Sequence, residues 1–163
     1  MKVNHAGEQG AVCIYRGQRW VARVLMPELV AELAGYQAHE ERHRAVFARE
    51  LARRGKPRCR SYWFCAVGGL FLGMITALMG RRAIAATTVA VERVVLRHLD
   101  EQRAALRDID PAAATAVDDI AEDELEHHDS SARALGRPSA VLRMLMAVVS
   151  ASTEFVIWLG MKL

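Results

Sequence analysis

Glu40-Glu41-Arg42-His43 and Glu124-Leu125-Glu126-His127 are two copies of one pattern, a glutamate followed three residues later by a histidine. In a helix, side chains three apart lie on one face, so each pair aims a carboxylate and an imidazole at a common point. Taken singly, such a pair is most often a solvated helix face. Here the two stand 84 positions apart, and the same displacement carries Glu8 onto Glu92. Without a gap it also brings Ala6 onto Ala90, Gln18 onto Gln102, Arg19 onto Arg103, Ala48 onto Ala132, Arg49 onto Arg133, Leu51 onto Leu135 and Arg53 onto Arg137. Ala, Leu and Arg are abundant in the chain, so the Glu, His and Gln matches carry the weight. Together they indicate a duplicated helix pair.

One glutamate from each of two helices, plus a Glu-x-x-His from each of two others, is the ligand set of ferritin-like di-iron bundles. The expected fold is therefore all-α, a ferritin-like four-helix bundle built from a duplicated helix pair. The expected metal ligands are Glu8, Glu40, His43, Glu92, Glu124 and His127. Glu92 is the most telling of them, because it interrupts the apolar run from Ala83 to Val91, and Val94-Val95-Leu96 follows. A lone carboxylate buried there costs several kcal/mol unless it is paired or bound to a cation. The plainer alternative is a glutamate at the edge of the apolar stripe, reaching water or an arginine. Four carboxylates and two imidazoles form a hard oxygen and nitrogen environment that favours iron or manganese over Cu(I) or a thiolate zinc site. Two iron ions with open positions are the expectation, able to activate dioxygen.

Outward from these helices the remaining chain also reads as helix. Pro27, Gly55-Lys56-Pro57, Gly80, Asp108-Ile109-Asp110-Pro111 and Gly136-Arg137-Pro138 divide it, which predicts helices near 3–25, 28–54, 61–80, 82–107, 111–135 and 139–162. Asp110 before Pro111 is a helix cap with proline at the first helical position, and Ser139 is placed to cap the last helix. No alternating strand pattern occurs. The 163 residues suit a single domain, residues 1–163, with one core. At 52% hydrophobic and 25% charged, the composition excludes a disordered chain. The net charge of +3 is spread over dispersed arginines with no basic block, which argues against nucleic acid as a partner. Cys13, Cys59 and Cys65 form neither a C-x-x-C pair nor an even framework, so free packing thiols in a reducing compartment are expected. Met1 to His5 lead straight into helical pattern, which predicts residence on the cytoplasmic side of a bacterial membrane.

Around the ligands, His39, Glu41, Glu126 and His128 point off the ligand face toward solvent or supporting hydrogen bonds. His5 and Asp123 are candidates to orient the imidazoles or carboxylates from behind. Tyr15 and Leu99 each stand seven residues after a ligand glutamate and share its face; they either pack the core or line a substrate pocket.

Residues 61–80 carry no charge and are bracketed by Arg60 and Arg81-Arg82. By length the segment could span a bilayer. Its glycines dilute its hydrophobicity, and the two duplicated halves must meet on one side, so an interfacial helix is expected. The last helix, 139–162, carries a similar apolar excess. The alternative is a buried helix, or a homo-oligomer contact through Gly69-x-x-x-Gly73, a spacing that lets backbones approach.

The chain resembles the ubiquinone-biosynthesis hydroxylases known as Coq7, the demethoxyubiquinone monooxygenases. The resemblance rests on Asn4-His5-Ala6-Gly7-Glu8-x-Gly10-Ala11, Ile14-Tyr15-x-Gly17-Gln18, Glu40-x-x-His43-x-x-x-Phe47, Gly73-x-x-Thr76-Ala77-Leu78-x-Gly80, Ala90-Val91-Glu92 and Asp123-Glu124-Leu125-Glu126-His127-His128-Asp129, in family order over nearly the whole chain. It implies a ferritin-like di-iron enzyme that hydroxylates the benzoquinol ring of a prenylated ubiquinone precursor with dioxygen. It also implies seating on the membrane surface where that substrate dissolves, at the cytoplasmic face of the inner membrane, and a lipid-binding partner of the same pathway. All six expected ligands match family positions. Two residues depart from the pattern: Gln9 and Leu99 stand where the family usually has tyrosine, and because Leu99 lies on the ligand face, no tyrosine role in electron transfer or substrate contact carries over there. No G-x-G-x-x-G fingerprint follows a strand, so electrons are expected from NADH or another donor that is not stably bound. The alternative within the same fold is a protein that merely oxidises or handles iron.

Overall fold

A computed structural model of the chain describes residues 1–162. Six α-helices and one 3-10 turn account for nearly all of them, and no strand occurs among the described residues. They are α1 (Lys2–Leu25), the turn Pro27–Leu29, α2 (Val30–Arg53), α3 (Tyr62–Leu78), α4 (Arg81–Leu106), α5 (Pro111–Leu135) and α6 (Ala140–Lys162). The expected boundaries hold within two residues, and the departures have local causes. Pro27 opens a 3-10 turn before α2 becomes regular. The α3 helix stops short of residue 80, where Gly80 takes φ +93, a conformation that side chains with a Cβ rarely adopt. The Asp110 Oδ1 accepts from the Ala113 amide at 3.2 Å, and the Ser139 Oγ accepts from the Leu142 amide at 3.3 Å, so both expected caps are made.

The chain divides into two compact units, one of Met1–Ile84 with Phe155–Leu163 and the other of Ala85–Glu154. The break after Ile84 falls where the second copy of the 84-residue repeat begins. The repeat is also longer than the sequence matches suggest. Displaced by the same 84 positions, α3 falls wholly inside α6, so each copy is two amphipathic helices followed by an apolar one. Sequence identity had faded there, leaving only apolar character as a signal.

In the first unit, α3 lies directly against α1. A Cβ on Gly69 would run into the carbonyl of Gly10, and one on Gly73 into the carbonyl of Ile14, so these backbones touch with no side chain between them. The Gly69-x-x-x-Gly73 spacing is thus used inside the chain. One side of the crossing is a cluster of Tyr15, Ala22, Leu29, Leu33, Ala77 and Ile84, against which Met26 and Tyr36 pack. On the other, Ala6, Cys59 and Cys65 pack with Tyr62 and Val156. Gln18 Nε2 donates to Thr76 Oγ1 at 3.4 Å across the same helices. The three cysteines are buried free thiols, and burial raises the Cys65 thiol above its ordinary range.

With one face committed to α1, α3 presents Trp63, Phe64, Val67, Phe71, Ile75 and Leu78 to the outside, all more than half exposed. Its 17 residues extend about 26 Å, less than the hydrocarbon core of a bilayer. The α6 helix, Ala140–Lys162, is long and apolar enough to cross a membrane by length and composition, and its most apolar window is only 6% buried.

Candidate metal centre

In the first unit α1 supplies Glu8, and α2 supplies Glu40 and His43 one helical turn apart. All three are buried, at 5%, 1% and 3% exposure. Each offers a ligand atom, and these atoms lie within 4.8 Å of one another. His43 Nδ1 stands 4.0 Å from Glu8 Oε2 and 3.9 Å from Glu40 Oε2. These separations exceed hydrogen-bond distance. They leave room for a shared cation among the three groups.

The second unit carries the matching residues, also buried. Glu92 is buried on α4 within a wholly buried run, residues 83–92. On α5, Glu124 and His127 are equally buried, with Glu124 Oε2 and His127 Nδ1 3.6 Å apart. Every one of the six expected ligands is therefore an interior residue, while Glu41 and Glu126 beside them are exposed. The reading that Glu92 sits at a wet edge does not hold. Carboxylates in such positions are costly unless paired or bound to a cation, and buried oxygen donors with imidazole suit a hard divalent ion. The residues present fit iron.

Behind the first half lies a polar layer that the sequence did not announce. Gln9 Oε1 accepts from the Arg44 guanidinium and from the Tyr62 hydroxyl, the latter at 2.8 Å. Gln9 Nε2 is 3.2 Å from Cys13 Sγ. Farther along the same two helices, Arg19 donates to Gln37 Oε1 at 2.8 Å, and Gln37 Nε2 donates to Glu41 at 2.9 Å. Arg44 and Arg19 were missed because nothing in a helical sequence says which arginine turns inward; adjacency to His43 was the only available sign for Arg44.

His5 stacks on Tyr62 with ring centroids 5.1 Å apart, and Arg58 lies 5.0 Å over the other ring of that stack. Burial, then the charges of Arg44 and Arg58, hold His5 below the ordinary imidazole range. In the second unit, burial likewise lowers His98. Its Nε2 lies 2.6 Å from the Gln102 side-chain amide. Tyr15 is built into the core, its ring 5.4 Å from Tyr36, and Leu99 is buried at 2%. Asp123 and His39 are half-buried.

Residues 1–160 match the family described as "Ubiquinone biosynthesis protein COQ7". Among curated relatives, the chain is 34% identical to the "NADPH-dependent 3-demethoxyubiquinone 3-hydroxylase, mitochondrial" of Dictyostelium discoideum, over 99% of this chain and 75% of that protein. It is 33% identical to the "3-demethoxyubiquinol 3-hydroxylase" of Rhodospirillum rubrum, over 98% and 75%. To the mouse protein, named like that of Dictyostelium, it is 30% identical over 98% and 75%. A match that runs through both copies of the repeat, in a ferritin-like family, agrees with the all-helical architecture and the buried Glu and His residues. The chain belongs to the COQ7 family of ubiquinone-biosynthesis proteins.

Proposed function

We propose that this protein is a di-iron monooxygenase that hydroxylates the benzoquinol ring of a prenylated demethoxyubiquinone precursor. The observation that carries the reading is the convergence of buried Glu8, Glu40 and His43 within 4.8 Å, together with the repeat of that set as Glu92, Glu124 and His127. In this reading the six residues hold two iron ions in one ferritin-like domain, residues 1–163. The support for joining the two halves is the duplication in the sequence and the family membership.

Bound iron supplies the reduction and activation of dioxygen. The chain's own groups supply the rest. The four glutamates balance the metal charge and the imidazoles complete the donor set. His5 and Asp123 support them from behind. The burial of all six excludes water from the reacting ring. Tyr15 and Leu99, buried two turns beyond Glu8 and Glu92, line the approach of the quinol ring. One atom of dioxygen enters the ring and the other leaves as water, with two electrons drawn from NADH or another transient donor. The Dictyostelium and mouse relatives are named NADPH-dependent.

The exposed apolar faces of α3 and α6 seat the protein on the cytoplasmic face of the inner membrane, peripherally, where a polyprenyl tail dissolves. The brackets Arg60 and Arg81-Arg82 suit an anionic surface. The same faces offer contacts to a lipid-binding biosynthetic partner or a second copy. Phe71→Glu places a charge on the α3 face, and its co-sedimentation with anionic vesicles should fall well below that of the wild type.

The test is to incubate ferrous-loaded protein with a prenylated demethoxyquinone, NADH and isotopic dioxygen. Labelled oxygen in the ring, read by mass spectrometry, is the expected result. Iron oxidation with no label in the ring would replace the hydroxylase reading with iron handling.

A further inference from the structure

Resting on the metal reading above, we propose that Gln9 is a positioning residue that sets the geometry of the first half of the metal centre. Its amide joins three helices at one buried point: its own α1, α2 through Arg44 and α3 through Tyr62. Gln9 follows ligand Glu8 and Arg44 follows ligand His43, so the bond ties the helices one residue from each member of a pair that stands 4.0 Å apart. One residue along a helix turns the side chain by about 100°. The brace therefore lies beside the ligand face, where it fixes the rotation and height of α1 against α2 without occupying a metal position.

The orientation of the amide follows from its neighbours. Arginine has donors only, so the atom facing Arg44 must be the amide oxygen, and the amide nitrogen is left to face Cys13 Sγ at 3.2 Å. Gln9 is 6% exposed. A side chain without an acceptor at this place would leave a guanidinium and a phenol without their shared partner, and the two helices free to slide at the ligands.

The brace is not part of the duplicated ligand pattern. Displaced by 84 positions, Gln9 becomes Arg93, which is exposed, and Arg44 becomes His128, which faces Asp129 Oδ1 at 3.0 Å. The candidate ligand residues recur in both copies, whereas this acceptor has no counterpart at the matching position. Tyr62 brings a phenol to that amide from α3.

The experiment is an anaerobic titration of the full chain with ferrous iron, on wild type, Gln9→Leu, Gln9→Glu and Arg44→Met, beside the melting of each metal-free protein. Gln9→Leu keeps volume and removes the acceptor. It should weaken ferrous binding at the first half about tenfold or more, the range for losing a support behind a metal ligand. Gln9→Glu keeps an acceptor for both donors and should stay within about threefold of wild type, well short of that range. Arg44→Met breaks the same bond from a half-buried site, and reports even where leucine at position 9 prevents folding. Folded Gln9→Leu or Arg44→Met with wild-type affinity would overturn the positioning role. So would Gln9→Glu losing as much affinity as Gln9→Leu, because packing alone would then explain both. Wild-type protein that takes up no ferrous iron would overturn the metal reading itself, a result distinct from any difference among the variants.

Discussion

Where the first copy of the repeat carries Gly10, Gly17, Gly69 and Gly73, the second carries Val94, Glu101, Thr153 and Ile157. In the first copy α1 and α3 meet backbone to backbone at these glycines. In the second, α4 and α6 meet through side chains: Ser150 Oγ donates to the Ala90 carbonyl at 3.1 Å, and Arg97 pairs with Glu154 at 2.7 Å. The buried Glu and His residues recur at matching positions; the way each apolar helix is fastened does not. Metal chemistry admits few donor types at fixed spacing, whereas helix contacts can be rebuilt from many combinations of shape and hydrogen bonding. On the proposed metal reading, duplication has kept the donor residues and released the packing.

If the copies are equivalent in chemistry, Glu40→Ala and Glu92→Ala should each lower turnover by more than about a hundredfold, exceeding the effect of losing a supporting residue. Both should lose iron, as metal analysis would show. Retained turnover in Glu92→Ala would break the equivalence and with it the catalytic reading. The packing contrast is next in size. Gly73→Ala forces α3 away from Ile14 and should cost on the order of 3 kcal/mol, lowering the melting temperature by about 6–12 °C. Ile157→Ala, at the matching half-buried place, should cost about 1 kcal/mol. Equal melting temperatures for the two would erase the distinction.

A smaller effect should be shared. His5 in the first copy and His98 in the second are both held below their ordinary value of 6.5. Acid therefore protonates them in the unfolded chain before the folded one, so their contribution is full above pH 6.5 and is lost as pH falls toward the folded values. Melting of the metal-free protein should decline from about pH 7.5 to about pH 5.5, and His5→Gln or His98→Gln should each flatten the decline. A slope unchanged in both variants would place the sensitivity elsewhere. Smallest of all, Arg97→Ala should shift stability by less than about 0.5 kcal/mol, since Arg97 and Glu154 are 57% and 53% exposed. A larger loss would make that pair a true fastening of α4 to α6.

Much of the architecture was legible in residue order. Proline, glycine and capping residues are local signals, so Asp110-Pro111 and Ser139 marked helix starts that the structure makes with the expected bonds. The apolar run around Glu92 marked it as either a buried carboxylate or one at the edge of the apolar stripe, because a run of apolar residues does not say which way a single side chain within it faces. The continuation of the repeat into α3 and α6 was not legible: the two share almost no identity, and a lipid- or core-facing helix needs only apolar character, which many sequences satisfy.

By itself, the sequence determined that this is a duplicated helical protein with six candidate ligands, because donor identity and helical period are both written in residue type and spacing. Only the tertiary structure decided that the glycines of α3 press against α1, that Glu92 has no wet edge, and that Gln9 meets Arg44 and Tyr62, which are 35 and 53 positions away. Such meetings depend on how each helix is rotated and where it crosses its neighbour. Rotation and crossing are settled by the fit of whole surfaces, and no local stretch of sequence encodes that fit.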